Sequence, residues 1–197
     1  MTSPPTPRIV LGSTSRYRAE LLRRLIADFD QVAPGTDEAE RPGESPRVRA
    51  QRLAIAKADA AAQGQTNALV IGSDQVAELD GTLLDKPGSI ERACQQLAAS
   101  SGREVRFHTA LCLLDTRDGR RHNHVDHTRV RFRELGSAEI ARYVQRELPL
   151  DCAGSFKCEG LGISLFDAID NRAPSALIGL PLIALARLLR VAGVALP

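Results

Sequence analysis

The chain lacks several things that would set its class. No apolar run approaches the roughly 18 residues that a membrane-spanning helix needs, so no span is expected. No secretory signal is visible, and the four cysteines, Cys94, Cys112, Cys152 and Cys158, include no Cys-x-x-Cys pair. Reduced thiols and a cytoplasmic location follow as expectations. An excess of one charge is also missing: Lys+Arg 26 against Asp+Glu 24 leaves +2, too balanced for a protein whose main partner is a long polyanion. Arg129, Arg131 and Arg133 do share one face of a predicted strand, but no aromatic residue interleaves them, so a solvated face is favoured over an RNA stripe.

What the chain does have is enough apolar residue for a sizeable core, 43% of 197 residues. Met1 to Pro7, with three prolines in a polar context, reads as a loose leader, and residues 8–197 as one domain. The segment Leu69-Val70-Ile71-Gly72-Ser73-Asp74-Gln75 organises the rest. An unbroken aliphatic run is the mark of a strand buried on both faces, and ligands of open α/β sheets gather where such strands end. The run stops at small residues and then presents a carboxylate, Asp74. A turn cap and a catalytic acid are equally open for it at this point.

Taken in order, Arg8 to Leu11 is a short buried strand. It is followed by Gly12-Ser13-Thr14-Ser15 and a helix with Leu21, Leu22, Leu25 and Ile26 on one stripe. Hydroxyls and N–H groups at such a turn, with Arg16 and Arg18 behind them, make an anion site or an ordinary capped helix. After the Pro34 to Glu44 loop, Ser45-Pro46 starts a helix to about Gln63, with Lys57 on its apolar stripe, facing core or cleft. Asp80-Gly81 marks a hairpin, Ser89 caps a helix, and Val105 to Leu113 alternates as a half-buried strand that Asp118-Gly119 turns back as Arg121 to Arg133. His122, His124 and Asp126 on that strand could be drawn as a metal site, but a polar strand end is favoured. Ser137 is expected to cap the next helix. Lys157 and Glu159, two apart in a segment read as extended, face one way. A strand at Ile163 to Phe166 and a docked helix at Leu182 to Val191 complete the chain.

These segments, in order, resemble a family. Gly12-Ser-Thr-Ser-Arg-Tyr-Arg18, Asp37-Glu38, Ala56-Lys57-Ala58, Gly72-Ser-Asp-Gln75, Asp85-Lys-Pro87, Ala153-Gly-Ser-Phe-Lys-Cys-Glu-Gly160 and Gly179-Leu-Pro-Leu182 are similar to the successive motifs of the Maf-like nucleotide pyrophosphatases. One departure is that Arg16 stands where the family usually has proline.

The resemblance implies a mixed, twisted α/β sheet flanked by helices, with two lobes around a cleft. It also implies hydrolysis of nucleoside triphosphates at the α–β anhydride, a divalent Mg²⁺ or Mn²⁺, and a homodimer. Within the family, Gly-Ser-Asp-Gln and Gly-Ser-Phe-Lys-Cys-Glu-Gly resemble the 7-methyl-GTP subgroup. A dTTP/UTP pyrophosphatase or a nucleotide-binding regulator of septum formation are the competing readings. By the same resemblance Asp74 and Glu38 stand at the cleft and hold the metal, with Asp74 the catalytic residue that orients or deprotonates the attacking water. Ser13, Ser15, Arg18, Lys57, Lys86 and Lys157 bind phosphate, and Tyr17, Gln75 and Glu159 set base choice.

Overall fold

The computed structural model describes residues 6–197, so most of the expected leader lies outside the described residues. Its centre is a mixed sheet of seven strands. The strands are β1 (Arg8–Gly12), β2 (Asp30–Val32), β3 (Ala68–Leu79), β4 (Thr82–Leu83), β5 (Glu104–Asp115), β6 (Arg121–Phe132) and β7 (Phe166–Asp170). Their order is β2-β1-β3-β5-β6-β7, with β4 paired to β3. β1, β2 and β3 are parallel, and the remaining pairings are antiparallel.

Five helices flank the sheet: α1 (Arg16–Leu22), α2 (Pro46–Ala61), α3 (Ile90–Ser100), α4 (Ser137–Glu147) and α5 (Leu182–Val191). Three apolar clusters result. Ala50, Ala54, Ala58 and Ala61 of α2 cover Val10, Val70 and Cys112 on one face. Leu21 and Leu22 of α1 and Leu185 and Leu189 of α5 cover Leu11, Ile71 and Leu113 on the other. Farther along the long strands, α3 and α4 pack with Phe107, Phe132 and Phe156.

The contact of α2 with the sheet is unusually close because both sides are small. A Cβ on Gly72 would lie 2.2 Å from the Ala54 carbonyl oxygen and 2.5 Å from the Ala58 nitrogen; one on Gly12 would lie 2.9 Å from the Lys57 oxygen. These are backbone atoms that cannot swing aside. Gly12 and Gly72 are also the last paired residues of β1 and β3. Beyond them β1 has ended while β3 continues, paired with β5 and, at Glu78 and Leu79, with β4, which leaves the edge of β3 at Ser73, Asp74 and Gln75 without a neighbouring strand on the β1 side.

Several expectations needed correction here. Asp74 does not end its strand: β3 runs unbroken to Leu79, because Ser73 to Glu78 stay paired with Leu111 to Arg106. β5 is buried on both faces from Thr109 onward, since α2 covers Ala110 and Cys112. α1 stops at Leu22, and Leu25 and Ile26 follow in turns while still packing on the same cluster. Gly136 rather than Ser137 occupies the N-cap of α4, with no side-chain hydrogen bond. Residues 161–165 form a 3-10 turn, so β7 starts only at Phe166. On α5, Ile183 and Val191 are exposed, so that helix is docked on one side only.

The Gly72 contact yields a direct stability test. Gly72→Ala should lower unfolding free energy by about 3 kcal/mol, the upper end of overpacking penalties, in urea melts. Gly136→Ser, in open space at a helix cap, should change it by no more than a few tenths of a kcal/mol. Similar effects at the two positions would refute the close-approach argument.

Candidate active site

The space beside β3 is a cleft of about 690 Å³, a size that suits a nucleotide. Its first wall is the loop between β1 and α1. Ser13 is buried, and its Oγ accepts from the Ser15 N–H at 3.1 Å and from Arg18 Nη1 at 3.4 Å. Ser15 is the N-cap of α1, accepting from the Arg18 N–H at 3.4 Å. Arg18 Nε donates to the Gly179 carbonyl at 2.9 Å. Burial pulls the Arg18 guanidinium below its ordinary value, opposed by the charges of Asp74 and Glu38. A desolvated cation at such a loop favours an anion.

The floor is built around Lys57. Its Nζ lies 2.6 Å from Asp74 Oδ1 and 2.7 Å from Glu38 Oε1. The Lys57 and Asp74 side chains are 8% and 9% exposed and that of Glu38 is 53% exposed, so the first pair is an interior one and the second sits at the cleft edge. Burial raises the Glu38 carboxyl, but the Lys57 hydrogen bond and the charges of Lys57, Lys86 and Arg18 outweigh it and leave a net lowering. The loop carrying Glu38 is strapped to α2. Arg49 donates to Glu38 O at 3.3 Å and to Glu40 at 2.8 Å; Arg52 grips Glu44 at 2.6 and 2.7 Å and donates to Ala39 O at 3.1 Å.

Among the described residues no group of three or more His, Cys, Asp or Glu side chains forms a complete metal cage. Glu38 and Asp74 are oxygen donors of the kind a hard divalent cation takes, and both converge on the Lys57 ammonium.

The third wall differs in character. Tyr17, Phe107, Asp151, Cys152, Phe156, Cys158 and Glu159 line it. Burial is the main cause that raises the Tyr17 hydroxyl. Burial also pushes both Cys152 and Cys158 up to about 12, with Asp151 and Glu159 respectively adding to the effect, so both stay protonated and unreactive. The cleft therefore runs from a basic end at Arg18, Lys57 and Lys86 to an aromatic and acidic end at Tyr17, Asp151 and Glu159.

The family profile described as Maf-like protein matches residues 8–192. The chain belongs to the Maf-like family. Relatives include a Xanthomonas axonopodis pv. citri protein named 7-methyl-GTP pyrophosphatase, 58% identical over 191 residues, which are 97% of this chain and 100% of that one. Another of the same name, from Burkholderia thailandensis, is 57% identical over 190 residues, 95% of this chain and 88% of its own. A solved structure, that of the Staphylococcus aureus Ham1 protein, superposes with a TM-score of 0.45 at 20% identity, covering 79% of this chain and 89% of the other.

In this Maf-like chain, Ser13, Ser15, Tyr17, Arg18, Glu38, Lys57, Gln75, Lys86 and Glu159 all line the cleft. Asp74 meets it through Lys57. Lys157 does not join them: its Nζ donates to the Glu147 carbonyl at 2.6 Å and the Leu148 carbonyl at 3.4 Å, closing the C-terminal end of α4. The segment is turned rather than extended, so Lys157 and Glu159 do not share a face. Gln75 has a structural task as well, its Nε2 donating at 3.0 Å to Thr109 Oγ1 and to the Ala176 and Leu177 carbonyls.

Those bonds, with Ser73 Oγ to the Gly179 carbonyl at 3.0 Å, dock the 176–179 segment as part of the cleft wall. That segment and Asp151 were missed as site residues; Gly179 was legible as a motif member, while Asp151 carries no local signal. His124 Nε2 lies 3.6 Å from Asp126 Oδ2, with no third ligand beside them. Arg129 pairs with Asp170 and Arg133 with Glu139, so two of the three stripe arginines are engaged in ion pairs.

Two outcomes follow from the floor. Lys57→Met strands the Asp74 carboxylate in the interior and should destabilise the fold by about 3 kcal/mol in urea melts, whereas Lys57→Met/Asp74→Leu should recover most of that loss. Equal instability of single and double variants would contradict the pairing. Because Glu38 is lowered in the folded state, its contribution to stability is full above the ordinary carboxylate pKa of 4.5 and is lost as pH falls through the lower folded value. Glu38→Gln should therefore flatten the acid limb of a stability-against-pH curve below pH 4.5, modestly since half the side chain is exposed. An unchanged acid limb would refute the coupling.

Proposed function

We propose that this Maf-like protein hydrolyses the α–β phosphoanhydride of 7-methyl-GTP, giving 7-methyl-GMP and pyrophosphate. The observation that carries the reading is the Asp74–Lys57 pair at the floor of a cleft with opposed basic and aromatic-acidic ends, in a chain similar over nearly its full length to proteins named 7-methyl-GTP pyrophosphatase. Ser13, Ser15, Arg18, Lys57 and Lys86 hold the triphosphate and offset its charge. Asp74 orients the attacking water and takes its proton as oxygen bonds to the α-phosphorus and pyrophosphate leaves. Lys57 fixes the Asp74 carboxylate by its Oδ1. Glu38 and Asp74 are the residues that would hold Mg²⁺ or Mn²⁺, whose charge would neutralise the phosphates.

At the other end, methylation of N7 makes guanine cationic, and Tyr17 stacking on it gains about 0.5–2 kcal/mol of cation–π attraction. Glu159 accepts from the guanine N1–H and N2–H₂ edge, which pyrimidines lack. Gln75 acts on base choice indirectly, through the 176–179 wall it holds. The reading extends to a cytoplasmic homodimer, which light scattering on the purified protein tests. Among the described residues no helix is long and apolar enough to cross a membrane.

Asp74→Asn leaves the buried Lys57 ammonium with Glu38 alone, so it should melt below the wild type while remaining folded at about 25 °C, and lose about a hundredfold or more of pyrophosphate release from 7-methyl-GTP. A folded variant that keeps more than about a tenth of the wild-type rate, tenfold being only 1.4 kcal/mol of barrier, would reject Asp74 as the base.

A further inference from the structure

The aromatic end of the cleft holds a charge arrangement that the phosphate chemistry leaves unused. The Arg16 guanidinium lies over the Tyr17 ring, 4.7 Å from its centroid, and Nη2 donates to the Tyr17 hydroxyl at 2.8 Å. Asp151 lines the same wall, its Oδ1 3.5 Å from Cys152 Sγ, and its charge acts on both Arg16 and Tyr17. The protein itself thus seats a planar, delocalised cation on Tyr17 with a carboxylate nearby.

We infer that Asp151 is a specificity-determining residue that reads the charge of the base, serving as counter-charge to a cationic N7-alkylated purine stacked at Tyr17. The inference rests on the reading of the cleft as a 7-methyl-GTP site. Glu159 faces an N1–H and N2–H₂ edge that guanine and 7-methylguanine both present, and it senses N7-alkylation only through the greater acidity of the N1–H. A group on the wall beside the ring senses the charge itself. Tyr17 does so through its quadrupole, and Asp151, on the same wall, through charge–charge attraction. Arg16 acts in the opposite sense: it carries the same charge as the methylated base and partly neutralises Asp151.

Opposite signs make the test specific. The kcat/KM ratio of 7-methyl-GTP to GTP is measured for the wild-type protein, Asp151→Asn, Asp151→Glu and Arg16→Ala, at low salt and at about 0.5 M salt, where exposed charges are screened beyond a few ångströms. At low salt the ratio should fall about fivefold in Asp151→Asn, rise in Arg16→Ala and return in Asp151→Glu, and high salt should shrink all three differences. Calorimetric affinities for 7-methyl-GMP against GMP should move in parallel. A wild-type protein that prefers 7-methyl-GTP, with a folded Asp151→Asn within twofold of its ratio, overturns the role of Asp151 alone. A wild-type protein with no such preference overturns both this role and the substrate reading.

Discussion

One lysine ammonium between two carboxylates governs how this molecule is assembled around its cleft. Lys57 is carried on a helix whose sheet-facing side is almost all alanine, and it reaches Asp74 only because that helix lies directly on Gly12 and Gly72. Burying a charge in such a place is unfavourable unless a partner is supplied, and Asp74 is the interior partner. Glu38 completes the group from a loop that Arg49 and Arg52 tie to the same helix. Close packing, charge pairing and loop attachment therefore converge on one point, and any change that lifts α2 from the sheet separates all three.

From that point the cleft acquires its polarity. The end of β1 removes a strand from beside β3, and the β1–α1 loop brings Ser13 and Ser15 there, with Arg18 from the first turn of α1. Gly179 is held there by both Arg18 and Ser73, so the C-terminal segment is part of the same wall as the N-terminal loop. The α1 N-terminus and the desolvated Arg18 guanidinium both favour an anion here. At the opposite wall the segment after α4 brings Asp151, Phe156 and Glu159 to Tyr17 of α1 and Phe107 of β5. A molecule that is anionic at one end and planar and cationic at the other matches both walls.

Much of this was legible in the chain itself. The aliphatic run into Asp74, the Ser45-Pro46 helix start, the Asp80-Gly81 hairpin and the placement of Lys57 on an apolar stripe each follow from local chemistry. What sequence could not supply were facts of tertiary origin. Nothing local says that β3 continues through Asp74, since the polar residues there are tolerated because Ser73 bonds the Ala110 and Gly179 carbonyls and Asp74 pairs with Lys57. Lys157 carries the right charge in the right motif, yet a turn directs its ammonium to the carbonyls of Glu147 and Leu148. Asp151, two residues after Pro149 and within the turn it begins, looks like any surface acid until Tyr17 and Arg16 are seen on the same wall.

The central claim is that this cleft selects a cationic guanine triphosphate and cleaves it between the α and β phosphates. Its most direct test is pyrophosphate release with Mg²⁺ from 7-methyl-GTP, GTP, dTTP, UTP and CTP, compared as kcat/KM. The account predicts a clear preference for 7-methyl-GTP. Preference for dTTP or UTP would contradict the substrate assignment while leaving the role of Asp74 standing, and no turnover of any of the five would contradict the account as a whole.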